Sequence, residues 1–363
     1  MIYLDYQATT PLAPEAREAM LPWLDRFGNP HSPHRAGREA KAAVEVARAQ
    51  VAALLPPGGQ VAFTSGATEA LNWAIKGTRG DIVTIATEHA AVLDTVAGEA
   101  RAGRASTILP VAADGLVDPD QAAAAIGDGT GLVAAMLVNN EIGVIQPITA
   151  LARAARAVGA LFLCDAVQGF GRVPILEGCD LIAVSAHKIY GPKGIGALWI
   201  RDGVSLNPLL HGGGQEAAGR SGTLSPMLCA GFGAAATVAA ARMREDADHV
   251  QELFGRAQRM LEGWQINGSV DHRYFGNLNV RRAGLDVGRL MSDLRDVAFS
   301  AGSACASGSG RTSHVLRAIG LADSAARSSI RLGFGRYTSA DELESAITRI
   351  IDAADRQKDW AWA

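Results

Sequence analysis

The chain has 363 residues, too many for one typical domain and enough for a large and a smaller one with a sizeable core. Hydrophobic residues make up 48% and the formal net charge is −3. With no basic stripe and no aromatic-interleaved Lys/Arg run, a direct nucleic-acid surface is not expected.

The opening, Met1 to Tyr6, carries neither the basic n-region nor the apolar stretch of a signal peptide. From about Val61 to Ile200, short apolar strands alternate with helical segments. Val61–Thr64 leads to a helix from Thr68, and Ile82–Ile85 to one near Ala90. Leu132–Val138 precedes a helix from Thr149, and Leu161–Cys164 and Leu181–Val184 are further strands. Strands apolar on both faces, alternating with helices, predict a mainly parallel sheet covered by helices. Ile195–Ile200 follows closely enough to be antiparallel.

After about Glu245 the texture changes. A charged amphipathic helix is expected over Ala247–Gly263, then a strand over Gly276–Arg281 and a helix from Asp286. A Gly/Ser loop, a strand around Arg331 and a last helix from Ser339 follow, which together read as a smaller α+β domain. The alanine-rich tract from Gly231 to Ala241 is broken by glycine and arginine, so no membrane span is expected.

Polar clusters follow one strand after another. Ser65-Gly66-Ala67-Thr68-Glu69 would place free N–H groups at a helix start, which suits phosphate, although a capping box reads equally well. Glu88-His89, Asn139-Asn140-Glu141 and Asp165-Ala166-Val167-Gln168 come next, and Ser185-Ala186-His187-Lys188 completes the series. Each has an ordinary structural reading on its own. Five on one sheet edge, where open α/β sheets hold ligands, do not. A desolvated lysine is a nucleophilic amine, and a carboxylate ending a buried strand needs a partner. Lysine, acid and phosphate cradle together fit pyridoxal 5'-phosphate, with His89 available to stack on its ring. The Gly-rich fingerprints of nicotinamide and nucleotide sites are missing.

Four cysteines, Cys164, Cys179, Cys229 and Cys305, show no C-x-x-C spacing, which argues against a zinc site or a disulfide framework and suits a reducing cytoplasm. Three sit in apolar surroundings. Cys305 lies in Ala301–Gly310, where nothing can pack a core; a thiol on a mobile Gly/Ser arm can attack in one place and deliver in another.

In these residues the chain resembles the cysteine desulfurases among the class V, fold-type-I pyridoxal phosphate enzymes, of the long mobile-loop type. The resemblance runs from Tyr3–Tyr6, Phe27–Pro30, Phe63–Glu69 and Thr87–His89 through Asn139–Gly143 and Ser185–Gly196. It continues in His211–Gly214 and Arg220–Thr223 and ends in Gly302–Cys305, His314–Arg317 and Ser328–Arg331. It implies a seven-stranded-type sheet in a large domain over 12–245, and a small α+β domain from 1–11 and 246–363 carrying a catalytic loop over about 302–312. It further implies Lys188 as the Schiff-base lysine, His89 on the ring, Asp165 at the pyridine nitrogen and Gln168 at the phenolic oxygen. Ala67, Thr68, Ser185 and His187 would form the phosphate cradle, completed by Thr223 from the partner of a homodimer. Asn140, beside the cofactor, and Arg331 would receive the substrate carboxylate. The implied reaction takes sulfur from L-cysteine, leaving L-alanine and a persulfide on Cys305, with Lys188 as base and His89 shuttling protons.

The implied recipients are sulfur acceptors such as an iron–sulfur scaffold or a tRNA-thiolation enzyme. Two departures bear on them. Gly310-Arg311-Thr312 stands where close relatives carry a hydrophobic-Glu-Pro turn, and the C-terminus ends at Ala363, short of a scaffold-binding extension. Rival readings are a selenocysteine lyase, another class V aminotransferase or lyase, or a catalytically silent scaffold of the same fold.

Overall fold

The computed structural model describes residues 1–175, 177–301 and 312–360; Cys305 and Arg311 lie outside the described residues. Seven strands form the main sheet. They are β2 (Gly59–Thr64), β3 (Asp81–Ile85), β4 (Ser106–Leu109), β5 (Thr130–Met136), β6 (Leu161–Asp165), β7 (Leu181–Ser185) and β8 (Gly196–Arg201), in the spatial order β2-β8-β7-β6-β5-β3-β4. The pairs from β7 through β4 are parallel, and β8 runs antiparallel to both its neighbours. The central strands β6 and β7 are buried on both faces, which their unbroken apolar sequences require.

The helices are α1 (Pro14–Met20), α2 (Arg35–Ala52), α3 (Ala67–Gly77), α4 (Ala90–Arg101), α5 (Pro119–Ala125) and α6 (Ile148–Ala157). After the sheet come α7 (Pro226–Met260), α8 (Val287–Asp293), α9 (His314–Ala318), α10 (Asp323–Arg327) and α11 (Ala340–Trp360). Two small sheets accompany them. The antiparallel order β12-β10-β9 joins Ser329–Gly333, Asn277–Arg281 and Gln265–Ile266. In the other, β1 (Ile2–Tyr3) runs parallel to β11 (Val297–Ala298). The chain's first residues are thereby fastened to its last third.

One expected element is corrected. The helix read over Ala247–Gly263 and the alanine-rich tract before it are a single helix of 35 residues, α7. It is also, among the described residues, the one helix long and apolar enough to cross a membrane by length and composition. Its small residues explain its place. A Cβ at Gly233 would lie 2.7 Å from Ala47 Cα and one at Gly231 2.6 Å from Met20 Cγ, so glycine lets α7 lie directly on α2 and α1. Phe232, Ala235, Ala236 and Ala239 are buried in the main core from that face.

Candidate active site

The carboxyl ends of the parallel strands open into a cleft of about 910 Å³. Ala67, Thr68, His89, Asn140, Asp165, Gln168, Ser185, His187, Lys188 and Arg331 all line it. The topology therefore brings together ten of the twelve site residues read from the sequence. Thr223 lies elsewhere, in a groove of about 450 Å³ with Trp23, Phe27 and Pro30. Cys305 is outside the described residues.

Lys188 stands at the end of a one-turn 3₁₀ helix directly after β7. Its Nζ donates to the backbone carbonyls of Gln7 (2.5 Å) and Ala8 (2.7 Å). Burial, together with the guanidinium groups of Arg172 and Arg331, lowers its pKa to about 7. At pH 7 about half of such an amine is neutral, and the neutral form is a nucleophile and a base. The turn that delivers it is tight: Tyr190 adopts φ 68°, its N–H donates to Thr10 Oγ1, and a Cβ at Gly191 would lie 2.8 Å from Ala186 O.

Asp165 ends β6 with its Oδ1 accepting from Val167 N–H at 3.0 Å. Burial pushes its pKa up, against the pull of His89 and Lys188. A buried carboxyl of this kind calls for a hydrogen-bond donor from the cleft. His89 N-caps α4, its Nδ1 accepting from Ala91 N–H at 3.0 Å. Nδ1 is thus unprotonated, and the neutral ring carries its proton on Nε2. His187 sits with Nδ1 3.1 Å from Thr9 Oγ1, and burial beside Lys188, Lys193 and Arg172 lowers its pKa to about 4. It is therefore a neutral hydrogen-bonding group at pH 7.

The start of α3 carries no side-chain cap. Glu69, the acid of the capping-box reading, accepts instead from Ser65 N–H (2.7 Å) and pairs with Arg220 (2.8 Å). The amides of the first helical turn are left for an anion in the cleft. Ten cleft residues thus supply an amine, a buried acid, a flat ring and an anion cradle. That donor set fits pyridoxal phosphate.

Arg331 is buried on β12 and pairs with Asp5 at 2.7 Å. Its second nitrogen donates to Asn140 O at 3.0 Å, while its Nε is buried without a partner. Ser300 Oγ also donates to Asp5. The arginine is thus braced on the cleft wall by an acid that the sequence reading left without a role.

Other contributors were also missed. The N-terminal segment Gln7–Thr9 lines the cleft, though only Tyr3–Tyr6 stood out before it. Glu88 is fully buried, with Oε1 accepting from Met136 N–H at 2.5 Å and Oε2 unpartnered; burial next to Asp165 pushes its pKa well above the usual carboxyl range. Beyond the Cys305 loop, His314 Nε2 donates to Glu88 O at 2.8 Å and Ser313 Oγ donates to Glu141 Oε2. Both carboxylic residues stood in the sequence clusters, and nothing in their spacing told which end of a distant loop they hold.

The aminotransferase class-V family model matches residues 2–345. The cysteine desulfurase IscS of Rickettsia bellii (strain OSU 85-389) is 44% identical over 377 residues, covering 99% of this chain and 92% of that protein. The chain belongs to the class-V aminotransferases, among their cysteine desulfurases. Solved structures agree. The NifS-like protein from Rickettsia africae ESF-5 matches with a TM-score of 0.90 at 30% identity, over 98% of this chain and 99% of that one. A structure of SspA in complex with cysteine matches with a TM-score of 0.83 at 33% identity, over 93% and 100%. Family members use pyridoxal phosphate, the group that the cleft's donor set fits.

Proposed function

We propose that this protein takes sulfur from L-cysteine, releases L-alanine and leaves a persulfide on Cys305 for an acceptor protein. The observation that carries the reading is the pairing, in one cleft, of a lysine amine held near pKa 7 with a buried acid that burial keeps protonated more readily than usual. When bound, pyridoxal phosphate supplies an electron sink that acidifies the substrate's Cα–H. Ala67, Thr68, Ser185 and His187 would hold its phosphate, Asp165 a proton at its ring nitrogen, and Gln168 its phenolic oxygen. Arg331 and Asn140 would bind the substrate carboxylate, Arg331 by a charge-assisted hydrogen bond.

In this reading Lys188 Nζ takes the Cα proton, and His89, with its proton on Nε2, passes protons between cleft and substrate. The Cys305 thiolate then bonds to the substrate sulfur as the carbon–sulfur bond breaks. The bonding pair stays with carbon, which gains a proton and becomes the methyl group of alanine. One cysteine and one enzyme thiol thus give one alanine and one persulfide, with no outside oxidant. Support for Cys305 at this site comes from its flanks: Ser300 bonds to Asp5, the partner of Arg331, and Thr312, Ser313 and His314 line the cleft.

The same reading makes the protein a cytoplasmic homodimer in which Thr223 reaches the partner's phosphate cradle, and divides it into 12–245 against 1–11 with 246–363. The pairing of β1 with β11 supports that division. Acceptors handling iron–sulfur assembly or tRNA thiolation suit the product. Cys305→Ser is the decisive test. The variant retains cofactor and still changes colour on adding cysteine, yet forms no persulfide and releases no sulfide under reductant. Sulfide release at the wild-type rate would overturn the reading in favour of direct elimination.

A further inference from the structure

Gln168 and Arg172 are four residues apart on the turn after β6, and only Gln168 faces the cleft. Behind it Arg172, itself buried, donates to Gln168 Oε1 at 2.7 Å and to Lys188 O at 2.6 Å, with its guanidinium carbon 5.3 Å from the Tyr274 ring centroid. Gln168 Nε2 in turn donates to Gln7 O at 2.9 Å. A glutamine amide normally can present either end, since oxygen and nitrogen are nearly the same size. Here neither neighbour allows a choice. Guanidinium has donors only, so it takes the amide oxygen; a backbone carbonyl accepts only, so it takes the nitrogen. With the orientation fixed, the second N–H of Nε2 is free to donate, while the oxygen is turned to the guanidinium.

We infer that Arg172 is a positioning residue that locks the Gln168 amide with its oxygen on the guanidinium, so that its Nε2 offers the cleft a hydrogen-bond donor. The ligand atom so selected is an oxygen without a proton, such as the phenolate oxygen of the cofactor; to this extent the inference rests on the role proposed for Gln168. The turn geometry serves the lock. Gly171 takes φ 67°, and a side chain there would meet Ala239 Cβ at 2.9 Å, so the backbone can fold back and aim Arg172 behind its neighbour. A buried cation held by two carbonyl oxygens and an aromatic face is an expensive way to fill space, and a hydrophobic side chain would pack there at less cost.

The test is a double-mutant cycle on the holoenzyme, reading the rate of pyridoxal phosphate loss and the position of its visible band rather than turnover. Gln168→Met is expected to speed cofactor loss about tenfold, the value of one charge-assisted hydrogen bond. Arg172→Met is expected to speed it several-fold and to shift the band the same way. Cofactor loss in the double variant falls clearly short of the product of the two single effects, because the part of Arg172's effect that runs through Gln168 is already gone, while its bond to Lys188 O acts apart from it. Arg172→Lys, still a donor-only cation, stays within about threefold of wild type, whereas Arg172→Gln, which can also accept, behaves like Arg172→Met. Effects that multiply in the double variant, or a band and release rate untouched by Arg172→Met, would overturn the lock and leave the role of Gln168 standing. An unaltered Gln168→Met would overturn that role and the lock with it. Should Arg172→Met not fold, the contrast between the lysine and glutamine variants decides, equal behaviour of the two counting against.

Discussion

Lys188 is costly to bury, and the cost has a pH signature. Its amine titrates near 7 in the fold and near 10.5 when unfolded. Between those values the unfolded chain binds more protons, so its contribution to stability rises with pH across that window; below about 7 the penalty is complete. In cofactor-free protein, Lys188→Met is therefore expected to be more stable than wild type by about 2–4 kcal/mol at pH 7. That follows from about 1.4 kcal/mol for each tenfold loss of proton affinity on folding, less the two hydrogen bonds to Gln7 and Ala8. The advantage should vanish as the pH nears 10.5, and urea denaturation at pH 7, 8.5 and 10 measures it. A constant advantage would mean that burial does not depress the amine. Arg331 makes the second residue-scale case. Arg331→Ala should raise the KM for cysteine at least about tenfold and leave cofactor content unchanged, because Asp5 keeps its bond from Ser300. Loss of cofactor in parallel would mark the arginine as structural. Residue types at strand ends made these groups legible from sequence. Their carbonyl and carboxylate partners, Gln7, Ala8 and Asp5, were not, because the segment that follows β1 is placed by the pairing of β1 with residues nearly 300 positions away in the chain.

Strands with apolar faces and helices with polar caps were readable because their periodicities are local. The sheet's central strands, the entry to α3 and the last helix all fall within a residue or two of expectation. What failed did so for tertiary reasons. The edge strand β4 is exposed over Ser106–Ile108 and carries no apolar run to mark it. The polarity change near Glu245 marks where α7 leaves one set of neighbours for another, and the helix itself continues through it. A contact between elements yields the next prediction. Gly196 opens β8 beside the start of α3, where a Cβ would lie 2.6 Å from Val184 O and 2.8 Å from Gly66 C. Gly196→Ala should push β8 off the phosphate cradle, costing about 1–3 kcal/mol by overpacking and weakening cofactor retention. Thermal unfolding with and without bound cofactor reads both effects. Equal loss in the two forms would place the damage in the sheet alone.

Thr223 poses the question that belongs to the whole molecule. Sequence resemblance gives it a phosphate to hold, yet in this chain it lies outside the cleft, in the groove with Trp23 and Phe27. Phe27 is 95% exposed and Leu24 66%, beside the same segment. An apolar patch of that kind, next to a residue remote from its own cleft, fits a surface covered by a second copy. If so, each cleft is built from two chains, and defects on opposite sides of it should complement. Thr223→Ala weakens both clefts of its own homodimer, and Lys188→Ala disables both of its own. In a mixed dimer of the two variants, one cleft combines the intact Lys188 of the first chain with the intact Thr223 of the second. The other cleft lacks both. Mixed dimers should therefore hold one cofactor per dimer as tightly as wild type and recover roughly half its turnover, as complementation across a C2 interface requires. Were Thr223 to serve its own cleft, every cleft in the mixture would carry one lesion and nothing would be recovered. Cofactor content and turnover of separately tagged, co-purified pairs distinguish the two arrangements.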